Sequence, residues 1–367
     1  MITNDPLFTE FCTDRNLMKG TQQGYYKALR IYLDLHDINL HEMINQADIE
    51  EEQGIRAKRR TITKRIKQYR NYLIQEDYSI SVVKDYTSRI KTFYRHFEIE
   101  IPYLPPIQLK KEYHERFEDI PQKKHIKQAI NSINYIKYKA IIMFQASSGT
   151  ARNETANLTV NDFIKATKEY HNKEDINDVL KELETQKDII PLWELVRIKT
   201  NYPYYTCSSP ESSEMIILYL KTRKRLKKTD RLFDMDVKGI TNAYQRINDK
   251  NKWGRVNHYS FFRSHAIRKF HATTIEDKAF ADTLQGRKPD SVTEAYFKHN
   301  PKRIKEKYLE HLPKLTINET IVNSVDSEVT KELREELKSK DDIIKDMNER
   351  LSRLEEAEKI SNTRPIK

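Results

Sequence analysis

Between residues 5 and 100, apolar and aromatic side chains recur three and four positions apart, as over 21–35 and 61–76. That is the spacing of amphipathic helices, and the period of two that a strand needs is nearly absent there. The string I-P-Y-L-P-P-I at residues 101–107 interrupts the pattern. Each proline lacks an N–H and restricts the residue before it, so no helix continues through it and a linker is expected. Helical spacing returns from about residue 112, most clearly over 125–146, which ends at Ser147-Ser148-Gly149, and a new helix starts near Thr150. Residues 189–207 carry β-branched and aromatic side chains on both sides of Thr200-Asn201, which predicts a hairpin with Lys199 at its tip. Helical patterns resume over 214–225 and run with breaks to about residue 312. In the tail, Leu333, Leu337, Ile344, Met347, Leu351 and Leu354 alternate spacings of four and three with one exception at Lys340. This is a three-heptad coiled-coil pattern, expected over 325–360 and suited to pairing between chains or to packing on its own protein. The fold class expected is mainly α with a small β-hairpin, an α+β chain.

Composition narrows the partners. A chain of 367 residues that is 37% hydrophobic can bury at least one core. Its net charge of +11 favours a polyanion, either nucleic acid or an anionic membrane surface. No apolar run is long enough to span a membrane, and the start M-I-T-N-D-P-L-F has neither the basic nor the apolar region of a signal peptide, so a cytoplasmic, nucleoid-associated protein is expected. Cys12 and Cys207 are far apart and lack metal-ligand spacing, which sets aside a disulfide framework and a zinc site. Seven glycines and no G-x-G-x-x-G or G-x-x-x-x-G-K-[ST] set aside nucleotide loops. Residues 329–360 hold eight basic and ten acidic side chains, so the tail is not what attracts a polyanion.

Arg56, Lys58, Arg59, Arg60, Lys64 and Arg65, followed by Lys67 and Arg70 and interleaved with Tyr69 and Tyr72, form the densest basic run. They either grip phosphates or form a solvated helix face. Arg152, in S-S-G-T-A-R-N-E, falls in the first turn of an expected helix, where the dipole already disfavours a cation. A bound anion would resolve that conflict; the alternative is an exposed surface arginine. His265 and Arg268, in H-A-I-R, lie three apart on a helical segment and so can meet one ligand, or simply decorate its surface.

Together, G-T-A-R, R-I-K-T, H-A-I-R and L-Q-G-R followed by A-Y resemble the active-site boxes of the tyrosine recombinase (phage integrase) family, with the archaeal branch nearest. The resemblance spans roughly residues 15–315. It implies a helical core-binding, DNA-binding domain over 1–108 and a catalytic domain over 109–318, while the multimerisation role expected for 325–360 comes from its heptads. It further implies that Tyr296 is the nucleophile, forming a 3′-phosphotyrosyl link, that Arg152 and Arg268 bind the non-bridging oxygens, that His265 is the general base and that Lys199 is the general acid. Arg287 stands where the family usually has His and sometimes Trp; it can donate to phosphate but cannot take up a proton. Glu154 sits one position closer to Arg152 than in many relatives. Tyr308 falls in a later helix read as core, and Tyr296 lies nine residues beyond Arg287, as the family's last box requires.

The activity implied is site-specific cleavage and rejoining of double-stranded DNA by a homo-multimer, a tetramer on two duplexes, integrating or excising a mobile element with no cofactor and no membrane partner. A type IB topoisomerase uses the same chemistry. A catalytically impaired DNA-binding protein of the same fold, or a helical scaffold binding another protein through residues 329–360, are the other readings.

Overall fold

Asp5 starts the first long helix: its carboxylate accepts from the Leu7 N–H at 3.0 Å and Pro6 takes the first helical position, so α1 spans Pro6–Asp14. The computed structural model describes residues 2–101, 103–106, 113, 115–287 and 300–317. The chain divides into two units, Met1–His114 and Glu115–Lys367.

The first unit continues with α2 (Lys19–His36), α3 (Leu40–Glu52), α4 (Thr61–Gln75) and α5 (Ile80–His96). Asn39 and Glu42 exchange side-chain bonds with each other's backbone at 2.9 Å to open α3, and Ser79 caps α5. Ile62, Ile66, Tyr69 and Leu73 form the α4 stripe and all are buried, packing with Phe11, Tyr32, Phe93 and Tyr94. The buried phenols are satisfied: Tyr32 and Tyr94 share a 3.0 Å bond, and Tyr69 donates to the Ala28 carbonyl at 3.0 Å.

Two sequence expectations change in this unit. Arg60 is 8% exposed. Its guanidinium donates to the Ile55 carbonyl and pairs with Glu51 at 3.4 Å and Glu100 at 3.8 Å, so it ties the α3–α4 connection together instead of facing a partner. Tyr69 likewise faces the core, because it continues the apolar stripe. The proline-rich string is not a bare linker either. Leu104 is buried in the first unit's core, and Arg70 donates to the Pro105 carbonyl at 2.8 Å.

The second unit opens with α6 (Lys123–Asn131) and α7 (Ile136–Ser148). Every residue of α7 from Lys139 to Ser148 is buried, the mark of a helix surrounded by others. The single helix expected over 125–146 is thus two. Ser132 turns its hydroxyl back to the Ala129 carbonyl at 2.8 Å and accepts from the Asn251 amide at 2.9 Å, offering the chain an alternative to helix. Buried Ile133 keeps the apolar rhythm going across the break, which is why the pattern reads as continuous.

There follow α8 (Arg152–Asn157), α9 (Val160–Ala166), α10 (Ile176–Leu183), β1 (Leu192–Arg197) and β2 (Tyr202–Cys207). β1 and β2 pair antiparallel from Leu192↔Cys207 to Arg197↔Tyr202, leaving a turn at 198–201 in which Asn201 takes a φ of 50°. Trp193 and Leu195 face inward, and Trp193 donates its indole N–H to the Ser208 hydroxyl at 3.0 Å. α11 (Pro210–Lys221) starts earlier than its apolar pattern, because Ser209 caps it and Pro210 fits its first position. The remainder is α12 (Val237–Lys250), a two-residue ladder of β3 (Arg255–Val256) with β4 (Tyr259–Ser260), then α13 (Ser264–Ile275), α14 (Lys278–Leu284) and α15 (Pro301–Leu315). α11 and α13 both pack on α7, and α14 packs on α13 and β2. The architecture is therefore mainly helical with a small antiparallel hairpin. Among the described residues no helix is long and apolar enough to cross a membrane. The coiled coil expected at 325–360 and the segment carrying Tyr296 lie outside the described residues.

Candidate active site

Two turns converge on one arginine. α13 begins just after the small β3–β4 ladder, and its fifth residue, Arg268, is 5% exposed. The guanidinium donates to the Gly149 carbonyl at the end of α7 and to the Gln285 carbonyl at the end of α14, both at 2.6 Å. The Gln285 amide returns a 2.9 Å bond to the Arg268 carbonyl and also reaches His271 Nδ1 at 3.2 Å, so α13 and the α14 end are locked reciprocally. Glycine is required at both turns. Gly149 has a φ of 65°, and a Cβ there would stand 2.4 Å from the His271 ring; Gly286 has a φ of 60°, and a Cβ there would stand 2.4 Å from the Tyr204 ring.

Arg197, the last residue of β1, also donates to the Gln285 carbonyl, at 3.3 Å. Arg287, just past Gly286, is half-exposed and pairs with Asp282 at 2.8 Å. Burial lowers the Arg268 guanidinium to about 10, with Arg197 and Arg287 pushing the same way while Tyr204 and Glu154 oppose them. It stays charged at neutral pH, yet among the described residues it makes no ion pair, and a buried guanidinium without a carboxylate is costly unless an anion arrives. Burial also raises the Tyr204 phenol well above the usual range, an effect that Glu154 reinforces and the two guanidiniums counter, so Tyr204 is neutral. Three buried oxygens around this cluster, on Tyr204, Glu154 and Gln285 (Oε1), have no hydrogen-bond partner among the described residues.

The residues singled out from sequence fall in different places. His265, one turn before Arg268, reaches solvent; burial of the rest of its ring lowers its pKa, and Lys269, Arg263 and Arg268 lower it further against Glu115. It is neutral at pH 7 and can accept a proton. Lys199 is exposed in the 198–201 turn, two residues beyond Arg197. Arg152 is the first residue of α8, as expected, but that helix is six residues long and the exposed guanidinium donates to the Thr241 hydroxyl on α12 at 2.6 Å. Glu154 is the residue of α8 that turns into the Arg268 cluster.

Tyr296 lies outside the described residues. Tyr308 is fully buried, donates to the Ser147 carbonyl at 3.0 Å, and is held by burial well above the ordinary phenol range. Tyr259 is 63% exposed beside the Arg263 guanidinium. In the first unit, Arg56, Lys58 and Arg59 are exposed around a short 3-10 turn, Lys64 is exposed on α4, and Arg65 is half-buried near Tyr94; only Arg60 turns inward.

Arg197 and Tyr204 were missed by sequence reasoning. The signal was present for Arg197: counting by two from Trp193 and Leu195 puts it at an inward register position, where a cation needs a reason. For Tyr204, one of 21 tyrosines, only the hairpin register distinguishes it.

No known family model matches the chain, and no curated protein matches it. Solved structures do. The chain is similar to the Tn1549 transposon integrase in complex with transposon right end DNA, at 13% identity and a TM-score of 0.52, covering 83% of this chain and 98% of that one. It is also similar to a lambda integrase tetramer bound to a Holliday junction, at 12% identity and a TM-score of 0.50, covering 77% and 76%. XerA recombinase is 18% identical over 84% of this chain and 97% of its own, with a TM-score of 0.36. At these identities the likeness is one of fold, and the fold of this chain is that of the tyrosine recombinases.

Proposed function

We propose that the chain is a site-specific tyrosine recombinase of the archaeal integrase type that cuts and rejoins DNA, integrating or excising a mobile element inside the cell. The observation that carries this reading is Arg268: a buried guanidinium without a carboxylate partner among the described residues, in a fold shared with integrases solved on DNA. Such a site favours a phosphodiester, whose equatorial oxygens gain charge in the pentavalent transition state.

In this reading the Tyr296 oxygen attacks the scissile phosphorus and the bond to the 5′-oxygen breaks. His265, neutral at pH 7, takes the phenolic proton, and Lys199 at the hairpin tip delivers a proton to the leaving 5′-oxygen. Arg268 and Arg152 hold the non-bridging oxygens, and Arg152 must leave Thr241 to do so. Arg287 donates to the same phosphate, released from Asp282. The energy of the phosphodiester is kept in the 3′-phosphotyrosyl link, so religation to another strand needs no ATP. Residues 1–108 would grip the duplex through Arg56, Lys58, Arg59, Lys64 and Arg65, residues 109–318 would catalyse, and residues 325–360 would join copies into a tetramer.

The test starts by selecting duplexes from a random library on the full chain, then nicking a selected site near the cleavage point. Wild type should form an SDS-resistant adduct, Tyr296→Phe none, and Tyr308→Phe an undiminished amount. Tight binding without an adduct in wild type would instead support a non-catalytic DNA-binding protein, the reading favoured by the engagement of Arg287 with Asp282. Relaxation of any supercoiled plasmid by the monomer would point to a type IB topoisomerase.

A further inference from the structure

The Gln285 carbonyl receives two cations: Arg268 at 2.6 Å and Arg197 at 3.3 Å. The two donating nitrogens are therefore no farther apart than those bonds laid end to end, about 6 Å, a separation at which like charges repel. Neither guanidinium forms an ion pair among the described residues, Arg287 stands close enough to act on Arg268, and the buried Glu154 and Tyr204 oxygens beside them lack partners. What stands between them is a backbone carbonyl, a partial negative charge facing two full positive ones. β1 could have ended with a neutral residue at this inward position, since only half of its members face the core.

We propose that Arg197 is a phosphate-binding residue of the site, a guanidinium that shares with Arg268 the non-bridging oxygens of a bound phosphodiester. The inference rests on the DNA-cleaving reading for its ligand, but it assigns a residue that lies two positions before the hairpin lysine and has a different task. Arg197 approaches along the strand, anchored by one N–H on the Gln285 carbonyl, and its planar fork leaves further donors for an oxyanion. An anion seated between the two arginines converts their repulsion into attraction on both sides. Tyr204, pressed on Gly286, sets the turn that presents the shared carbonyl.

The experiment compares wild type with Arg197→Ala, Arg197→Lys and, as a control for general charge loss, the exposed Lys227→Ala. Adduct formation is timed on nicked DNA carrying either an ordinary scissile phosphodiester or an uncharged methylphosphonate. Arg197→Ala should slow the phosphodiester reaction about 100-fold, and that deficit should shrink to under about 10-fold on the methylphosphonate, where less charge needs neutralising. Arg197→Lys should recover part of the rate, because it keeps the charge and loses the fork. An equal deficit on both substrates, or no deficit, overturns the proposal. A second readout is independent of cleavage: inorganic phosphate should raise the melting temperature of wild type and Lys227→Ala alike, and that shift should vanish in Arg197→Ala. If wild type binds phosphate in this way but forms no adduct, the anion site stands and strand transfer falls. If wild type forms adduct and Arg197→Ala matches it, strand transfer stands and this assignment falls.

Discussion

A buried phenol and a nucleophilic phenol want opposite surroundings, and Tyr308 has the first kind. It lies in the core formed with Ile275, Phe280 and Leu284 and spends its proton on the Ser147 carbonyl. Tyr308→Phe should cost about 1–2 kcal/mol by removing that buried bond, read as a lower urea midpoint. His271 is a second residue whose environment sets a measurable quantity. Burial lowers its pKa to about 3, with Arg268 and His311 acting in the same direction and the Ser147 backbone opposing. The unfolded ring titrates near 6.5, so above that value neither state binds the proton and stability is level. Below it, the unfolded chain takes the proton first and stability falls by about 1.4 kcal/mol per pH unit until the folded pKa is reached. Urea midpoints from pH 7 to 5 should therefore drop more steeply for wild type than for His271→Gln; parallel curves would contradict a neutral, buried ring.

At the scale of elements, turns carry the strictest demands. Gly286→Ala would place a methyl group into the Tyr204 ring at a positive φ, and a loss of at least about 2 kcal/mol is expected, with adduct formation falling alongside. The connection into α4 makes a different prediction. Arg60→Ala removes the buried cation that ties Glu51, Glu100 and the Ile55 carbonyl together and should cost about 2 kcal/mol, whereas Lys58→Ala and Arg59→Ala should stay within about 0.5 kcal/mol of wild type. On selected DNA the latter two should each reduce the slope of log affinity against log salt by about 1; an unchanged slope would remove the basic turn from the interface. These elements also show what the chain discloses before folding. The α4 stripe and the 189–207 hairpin are legible because their periods are strong. The break at Ser132 is hidden, because one of the bonds that hold it comes from Asn251, far along the chain. Arg60 reads as one more exposed cation until Glu51 and Glu100 are placed around it. Of the site, the boxes with Arg268 and Arg287 are legible as strings, while the inward role of Arg197 depends on strand register and the Thr241 bond of Arg152 on a helix packed later.

For the molecule as a whole, a net charge of +11 sets a field that draws polyanions, DNA in the proposed reading, to the surface before any specific contact forms. Specificity in the proposed chemistry would then rest on a few groups gathered from α8, β1, α13 and α14. One feature of that gathering bears on how the protein tolerates mutation. The atom that holds both Arg197 and Arg268 is a main-chain oxygen, and no codon change at position 285 can delete it. Substituting Gln285 reports on the amide bonds to His271 and the Arg268 carbonyl, never on the anchor itself. The genetic vulnerability of the anchor is displaced one residue along, to Gly286, where almost any side chain would rotate the oxygen away. A saturation scan should show 286 intolerant of every side chain, while losses at the buried position 285 follow its amide bonds and leave the carbonyl anchor in place.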